Sequence, residues 1–166
     1  MRPKTLYAIA TSASDKAEAA TGAAKKAAAH EAIKPWQDYL AVANNDLLLA
    51  DAIDNVATMY AEAGDSTTVP QIYASMLANP SKYGEISLVH AGVVATRNGH
   101  PGDATTLFNA ALTQNPYSRD ALNNLAATYI QNKEYAKAFH LIDKLGATDP
   151  SNPENPLVSA LPYTGI

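Results

Sequence analysis

At 166 residues, 47% apolar and 17% charged, the chain is long enough to bury a core without metals or disulfides and too apolar to be a disordered segment. It contains no cysteine, which excludes disulfides, thiolate metal sites, cysteine nucleophiles and lipidation on cysteine. A net charge of -4 with no basic run argues against a nucleic-acid partner, and no stretch approaches the length of a membrane span.

The chain opens on MRPKTLYAIATSASDK. Its basic start suits an export signal, but the apolar run TLYAIA is short for one and Asp15 and Lys16 come soon after. The compartment stays open, with a soluble, cytoplasmic protein slightly favoured over export. AEAATGAAKKAAAHEAI reads as an Ala-rich helix with few large anchors, ended by Pro35. Trp36, Leu40, Ala43 and Leu47 then recur at helical spacing. That second helix either continues or breaks at Asn44-Asn45-Asp46. Residues 1–49 are expected to form a degenerate hairpin that caps the rest of the chain.

Beyond residue 50 the pattern repeats. Proline follows Asn or Asp at Asn79-Pro80, Asn115-Pro116 and Asp149-Pro150, at intervals of 36 and 34 residues. Sliding the last copy on the one before places Leu88 on Leu122, Ala91 on Leu125, Gly92 on Ala126, Ala95 on Tyr129, Ala104 on Ala138 and Phe108 on Ile142. An earlier copy uses Ile53, Val56, Ala57 and Tyr60 in the same roles, with SKYG (81–84) making up its length. Small residues at Ala57, Gly92 and Ala126 allow a partner helix to approach closely. Proline pushes the residue before it out of the helical region and stops the second helix of each copy. Gly64 and Gly99 stand where the first helix must turn, with Lys133 in the third copy.

This unit resembles the tetratricopeptide repeat, a helix-turn-helix of about 34 residues with large, small and aromatic positions in its first helix. Leu88 and Leu122 replace the family's Trp, Ala95 its Tyr and Ala126 its Gly, so the large/small alternation survives. The resemblance implies an all-α fold, an α-solenoid of stacked antiparallel helix hairpins wound as a right-handed superhelix. Three repeats are expected, at about 50–84, 85–118 and 119–152. A hairpin of this kind does not bury its own apolar face, so neighbours stack. The Pro-containing tail 153–166 offers Leu157, Val158, Leu161 and Tyr163. Either it folds back over the last helix or the chain is a piece of a longer protein.

The sequence carries no recognised catalytic signature. His30, His90, His100 and His140 form no recognised ligand pattern with another His or a carboxylate, and GxSxG, GK[ST] and GxGxxG motifs are absent. No enzyme activity, metal or cofactor is expected.

The resemblance also implies a ligand site, because the family's first helices line a concave groove. Its sixth repeat position falls on Asn55, His90 and Asn124, where in several family members an Asn bonds the main chain of an extended peptide. A side-chain amide both donates and accepts, which suits that role. Adjacent positions are Asp54, Thr58, Glu62, Val89, Val93, Arg97, Asn123, Ala127 and Gln131. The plain alternative is that these Asn residues are solvated surface. An imidazole at His90 would make binding pH-dependent. Arg97 is the single cation at these positions, beside Asp51, Asp54, Glu62 and Asp120, which argues against the family's carboxylate clamp. An apolar or basic segment of a partner protein fits such a surface. The expected function is thus a non-catalytic interaction scaffold. The alternatives are a self-associating module, two copies meeting through the array ends or the tail, and a regulatory segment of a larger protein.

Overall fold

The computed structural model describes residues 2–65 and 67–148. The expectations placed on the tail 153–166 therefore lie outside the described residues. Helices α1 (Pro3–Ala19), α2 (Gly22–Leu40), α3 (Asp46–Ala63), α4 (Val69–Ala78), α5 (Glu85–Arg97), α6 (Pro101–Gln114), α7 (Arg119–Gln131) and α8 (Tyr135–Thr148) succeed one another, with a 3-10 turn at Pro80–Lys82. No strand occurs among the described residues. The fold is all-α, a solenoid of helix hairpins. Helices α1 and α2, α5 and α6, and α7 and α8 pair closely, and α2 packs on α3 as α6 does on α7. The α3/α4 pair is looser; α3 rests instead on α2 and α5.

The turns inside the last three hairpins share one hydrogen-bond scheme. The amide of Asp65 bonds the carbonyl of Tyr60 (2.9 Å), that of His100 bonds Ala95 (2.9 Å), and that of Glu134 bonds Tyr129 (2.8 Å). These six-to-one closures satisfy carbonyls that a helix end leaves open. Each needs a left-handed residue one step before the donor: Gly64 (φ 82°), Gly99 (φ 77°) and Lys133 (φ 63°). Glycine takes that conformation freely, whereas the Lys133 Cβ crowds its own backbone. At the other ends, α4 stops at Ala78 and α6 at Gln114, just ahead of Asn79-Pro80 and Asn115-Pro116, where proline disfavours another helical turn.

Small residues decide how closely the hairpins close. Gly92 faces the Phe108 ring, and a Cβ there would meet that ring at 2.4 Å. Phe108, Ala104, Ala126 and Leu122 are all fully buried. The contact fixes α6 against α5 and so sets the face that α5 turns outward.

The N-terminal quarter differs from its sequence reading in two places. Residues 3–19 form a full helix, with Pro3 at its first position where a missing N–H is tolerated. The Ala-rich run is split at Ala20–Thr21, where Gly22 takes φ 57°. Pro35 also fails to end α2, which continues to Leu40. An internal proline costs about 3 kcal/mol through one lost bond and a clash with the Glu31 carbonyl. Immediately after it Trp36 and Tyr39 are buried, each worth a comparable amount. They pack edge-on with Tyr7 and with each other at 5.2–6.4 Å between ring centres, and the Trp36 indole N–H donates to Ser14 at 2.8 Å. Helix α2 then stops, and Asn45 caps α3 by accepting from the Leu48 amide at 3.0 Å.

One carboxylate couples the hairpins end to end. Asp46, in the first turn of α3, accepts from the amides of Ile86 (3.0 Å) and Ser87 (3.1 Å) and from the Ser87 hydroxyl (2.5 Å). It therefore caps α5 in trans, where the helix dipole favours negative charge. Gly84 makes room: a Cβ there would sit 2.3 Å from the Asp46 carboxyl carbon.

Candidate partner-binding site

The first helices of successive hairpins, α3, α5 and α7, carry the positions at which the repeat pattern places a ligand. Asp54 and His90 are brought together: the His90 Nδ1 lies 2.5 Å from the Asp54 carboxylate, bridging α3 and α5 on a half-exposed surface. The remaining residues are not joined into one cluster by direct bonds. The amide of Asn55 donates to the carbonyl of Asp51 at 2.9 Å and that of Asn124 to Asp120 at 2.8 Å. Each thus bonds its own helix one turn back. Thr58 likewise donates its hydroxyl to the Asp54 carbonyl. Val93 is half-buried, and Arg97 and Gln131 are exposed at the C-terminal turns of α5 and α7. Val89 differs from its expected place on the groove surface. It is 7% exposed and belongs to the core, because α3 and α5 pack directly on each other.

The acidic residues on α3 have lateral partners that one sequence gives no way to see. Asp51 accepts from the Tyr7 hydroxyl at 2.7 Å, tying α1 to α3. That bond, with burial second, pushes the Tyr7 phenol up to about 12, since phenolate beside carboxylate is disfavoured. Glu62 pairs with Lys25 of α2 at 2.8 Å. Lys25 is thus a second cation beside these positions, and its distance along the chain hid it.

Three polar oxygens on these helices are buried without a hydrogen-bond partner: Asp54 Oδ1, Glu62 Oε2 and Asn123 Oδ1. All three are acceptors. Asp54 and Glu62 each use one carboxylate oxygen on a neighbour and leave the other open. A buried acceptor without a donor is unfavourable by about 1–3 kcal/mol; the Asp54 and Glu62 side chains as a whole stay 34% and 23% exposed, which makes this face acidic.

A second kind of concavity lies between consecutive second helices. One cavity of about 300 Å³ is lined by Gln37, Leu40, Val56, Tyr60, Ile72 and neighbours; another of about 400 Å³ is lined by Asn109, Leu125, Tyr129, Lys137, His140 and Leu141. Their floors use equivalent repeat positions, Val56/Tyr60 and Leu125/Tyr129. The Tyr60 hydroxyl accepts from Gln37 at 2.6 Å, while burial raises its pKa against the opposing pull of that bond. Sequence reasoning missed both cavities; the large residues at those two positions were the available signal.

Stacked helix hairpins with an acceptor-lined face on their first helices define a helical-repeat scaffold. Residues 95–159 match the family model of the tetratricopeptide repeat. Among solved structures, the chain is similar to the crystal structure of YrrB, described as a TPR protein with an unusual peptide-binding site. The TM-score is 0.55 at 16% identity, over 83% of this chain and 72% of that one; at that identity the likeness is one of fold. No curated protein matches the sequence. Residues 95–159 thus carry the tetratricopeptide-repeat pattern and the chain has the fold of such proteins; that fold is a general protein–protein interaction module. Among the described residues no helix is long and apolar enough to cross a membrane.

Proposed function

We propose that this chain is a non-catalytic scaffold that holds an apolar or basic segment of a partner protein against α3, α5 and α7. The observation that carries the reading is the part-exposed acidic and amide surface of these helices, with the Asp54 and Glu62 side chains 34% and 23% exposed beside Asn55. A peptide backbone presents N–H groups, and Lys or Arg side chains present charged donors; either suits an acidic, acceptor-rich surface. Asn55 and Asn124 add to this by releasing their intrahelical bonds and turning their amides to the ligand main chain. Val93 supplies apolar contact beside them. The peptide-binding site described for YrrB supports looking for a peptide first. A net charge of -4 fits a basic protein segment and opposes a nucleic-acid partner.

The test is a peptide array of basic-apolar, neutral-apolar and acidic segments, followed by fluorescence anisotropy on the best binder. Basic-apolar peptides are expected to bind, and Asp54→Asn and Asn124→Ala each to weaken binding about tenfold, near 1.4 kcal/mol. Equal binding of acidic peptides, or affinity unmoved by both substitutions, contradicts the proposal.

A further inference from the structure

The hollow between α2, α3 and α4 has the make-up of a small-molecule site. Leu40, Val56 and Ile72, from three different helices, give it apolar walls, and its polar groups include Gln37, Tyr60 and Gln71. No side chain lining it is an acid or a base other than the Tyr60 phenol. At about 300 Å³ it lies at the lower end of ligand-pocket volumes, and apolar walls with a few convergent polar groups are typical of such pockets. The repeat does not impose this hollow. In the next hairpin the positions of Val56 and Tyr60 are held by Ala91 and Ala95, both fully buried, and α4 meets α6. The hollow beside Tyr129 differs in charge, because Lys137 and His140 line it and the Lys137 ammonium stands 5.2 Å from the Tyr129 ring centre.

One donor in the neutral hollow is open. Tyr60 is 5% exposed, and its hydroxyl oxygen accepts from the Gln37 amide at 2.6 Å. Among the described residues no acceptor takes the Tyr60 O–H proton, and the Gln37 carbonyl and the Gln71 amide have no partner either. Burial raises the Tyr60 pKa, against the lowering pull of the Gln37 bond, so the phenol is a protonated donor at neutral pH. A hydroxyl donor and two amides thus meet at the edge of an apolar hollow. We propose that this hollow binds a small neutral molecule with an apolar ring or chain and a carboxamide or hydroxyl edge. That edge accepts from the Tyr60 hydroxyl and exchanges hydrogen bonds with Gln37 and Gln71. An ionised ligand would give up hydration on entry and find no counter-charge among the lining residues, so neutrality is the selecting feature. The proposal is independent of the peptide reading, since no residue lining the hollow belongs to the acidic and amide set of α3, α5 and α7.

The experiment titrates benzamide, benzoate and benzylammonium, three probes that share a ring and differ in charge, into the isotope-labelled full chain without peptide. Amide shifts at Val56, Tyr60 and Ile72 are read for the native chain, Tyr60→Phe and Tyr129→Phe. Tyr60→Phe keeps the ring that packs the floor and removes only the hydroxyl, so the fold is retained; Tyr129→Phe makes the same change in the charged hollow. Benzamide is expected to shift these amides saturably, with benzoate and benzylammonium roughly tenfold weaker. Tyr60→Phe should weaken benzamide about fivefold, the loss of one hydrogen bond, and Tyr129→Phe should leave it unchanged. The absence of saturable benzamide shifts at these three residues overturns the proposal. So does either ion binding as tightly as benzamide, or an affinity that Tyr60→Phe does not move.

Discussion

The α5/α6 and α3/α4 hairpins come from the same repeat pattern, yet one is tight and the other loose. At the α5/α6 crossing Gly92 admits the Phe108 ring, and the adjacent floor positions are Ala91 and Ala95, both fully buried. With those small residues α4 and α6 come into contact. Around α3 the matching floor positions are Val56 and Tyr60, α4 is only 10 residues long, and a cavity of about 300 Å³ opens between α2, α3 and α4. Leu125 and Tyr129 produce a similar cavity around α7. Side-chain volume at two positions per repeat thus decides whether neighbouring second helices meet or leave a hollow. A scaffold can vary its outer surface this way while the order of its first helices is kept.

The largest break in this comparison is expected from Gly92→Ala. The new Cβ would sit 2.4–2.9 Å from three atoms of the buried Phe108 ring, and overpacking of this kind costs about 1–3 kcal/mol. A lowered urea midpoint, partly restored by adding Phe108→Leu, is the expected result. Gly84→Ala should come next at about 1–2 kcal/mol, because the Asp46 carboxylate must leave the α5 N-terminus. Asp46→Ala should give a similar loss, and the pair should be strongly non-additive.

Alkaline pH probes the looser hairpin. Burial, with the charge of Asp103 second, raises the Tyr73 phenol on α4 to about 12. A folded pKa above the unfolded value near 10 means this stability is complete below pH 10 and lost as pH rises through about 12. Tyr7 adds a loss in the same window. Unfolding midpoints measured from pH 8 to 12 should fall above pH 10, and less steeply in Tyr73→Phe, which removes that titrating group. The smallest effect has the opposite sign. Lys133→Gly gives the third turn the residue the other two already have, and should stabilise the chain by about 0.5–1 kcal/mol through relief of positive φ.

What was legible in the sequence was local. Asn-Pro stops, the Gly64 and Gly99 turns and the large/small alternation act within one helix turn or at a fixed interval, so periodicity reveals them. What escaped depends on residues far apart. Pro35 sits inside α2 because Tyr7 and Ser14, a helix away, hold Trp36 and Tyr39 in place. Asp46 reads as an ordinary first-turn acid until its bonds to Ile86 and Ser87 are seen. At the candidate site the repeat register named Asp54 and His90 separately, and the three-dimensional packing joined them. Val89 was named by the same register, but direct α3–α5 packing buries it. The unpartnered oxygens are legible only in three dimensions, because a missing partner has no sequence signature.

The most direct test of the central claim is an amide chemical-shift map of the isotope-labelled chain titrated with the best peptide from the array. The account predicts perturbations concentrated at Asp54, Asn55, His90, Val93, Asn123 and Asn124 on α3, α5 and α7. Perturbations confined to the hollows beside Tyr60 and Tyr129 would contradict it and move the binding surface to the second helices.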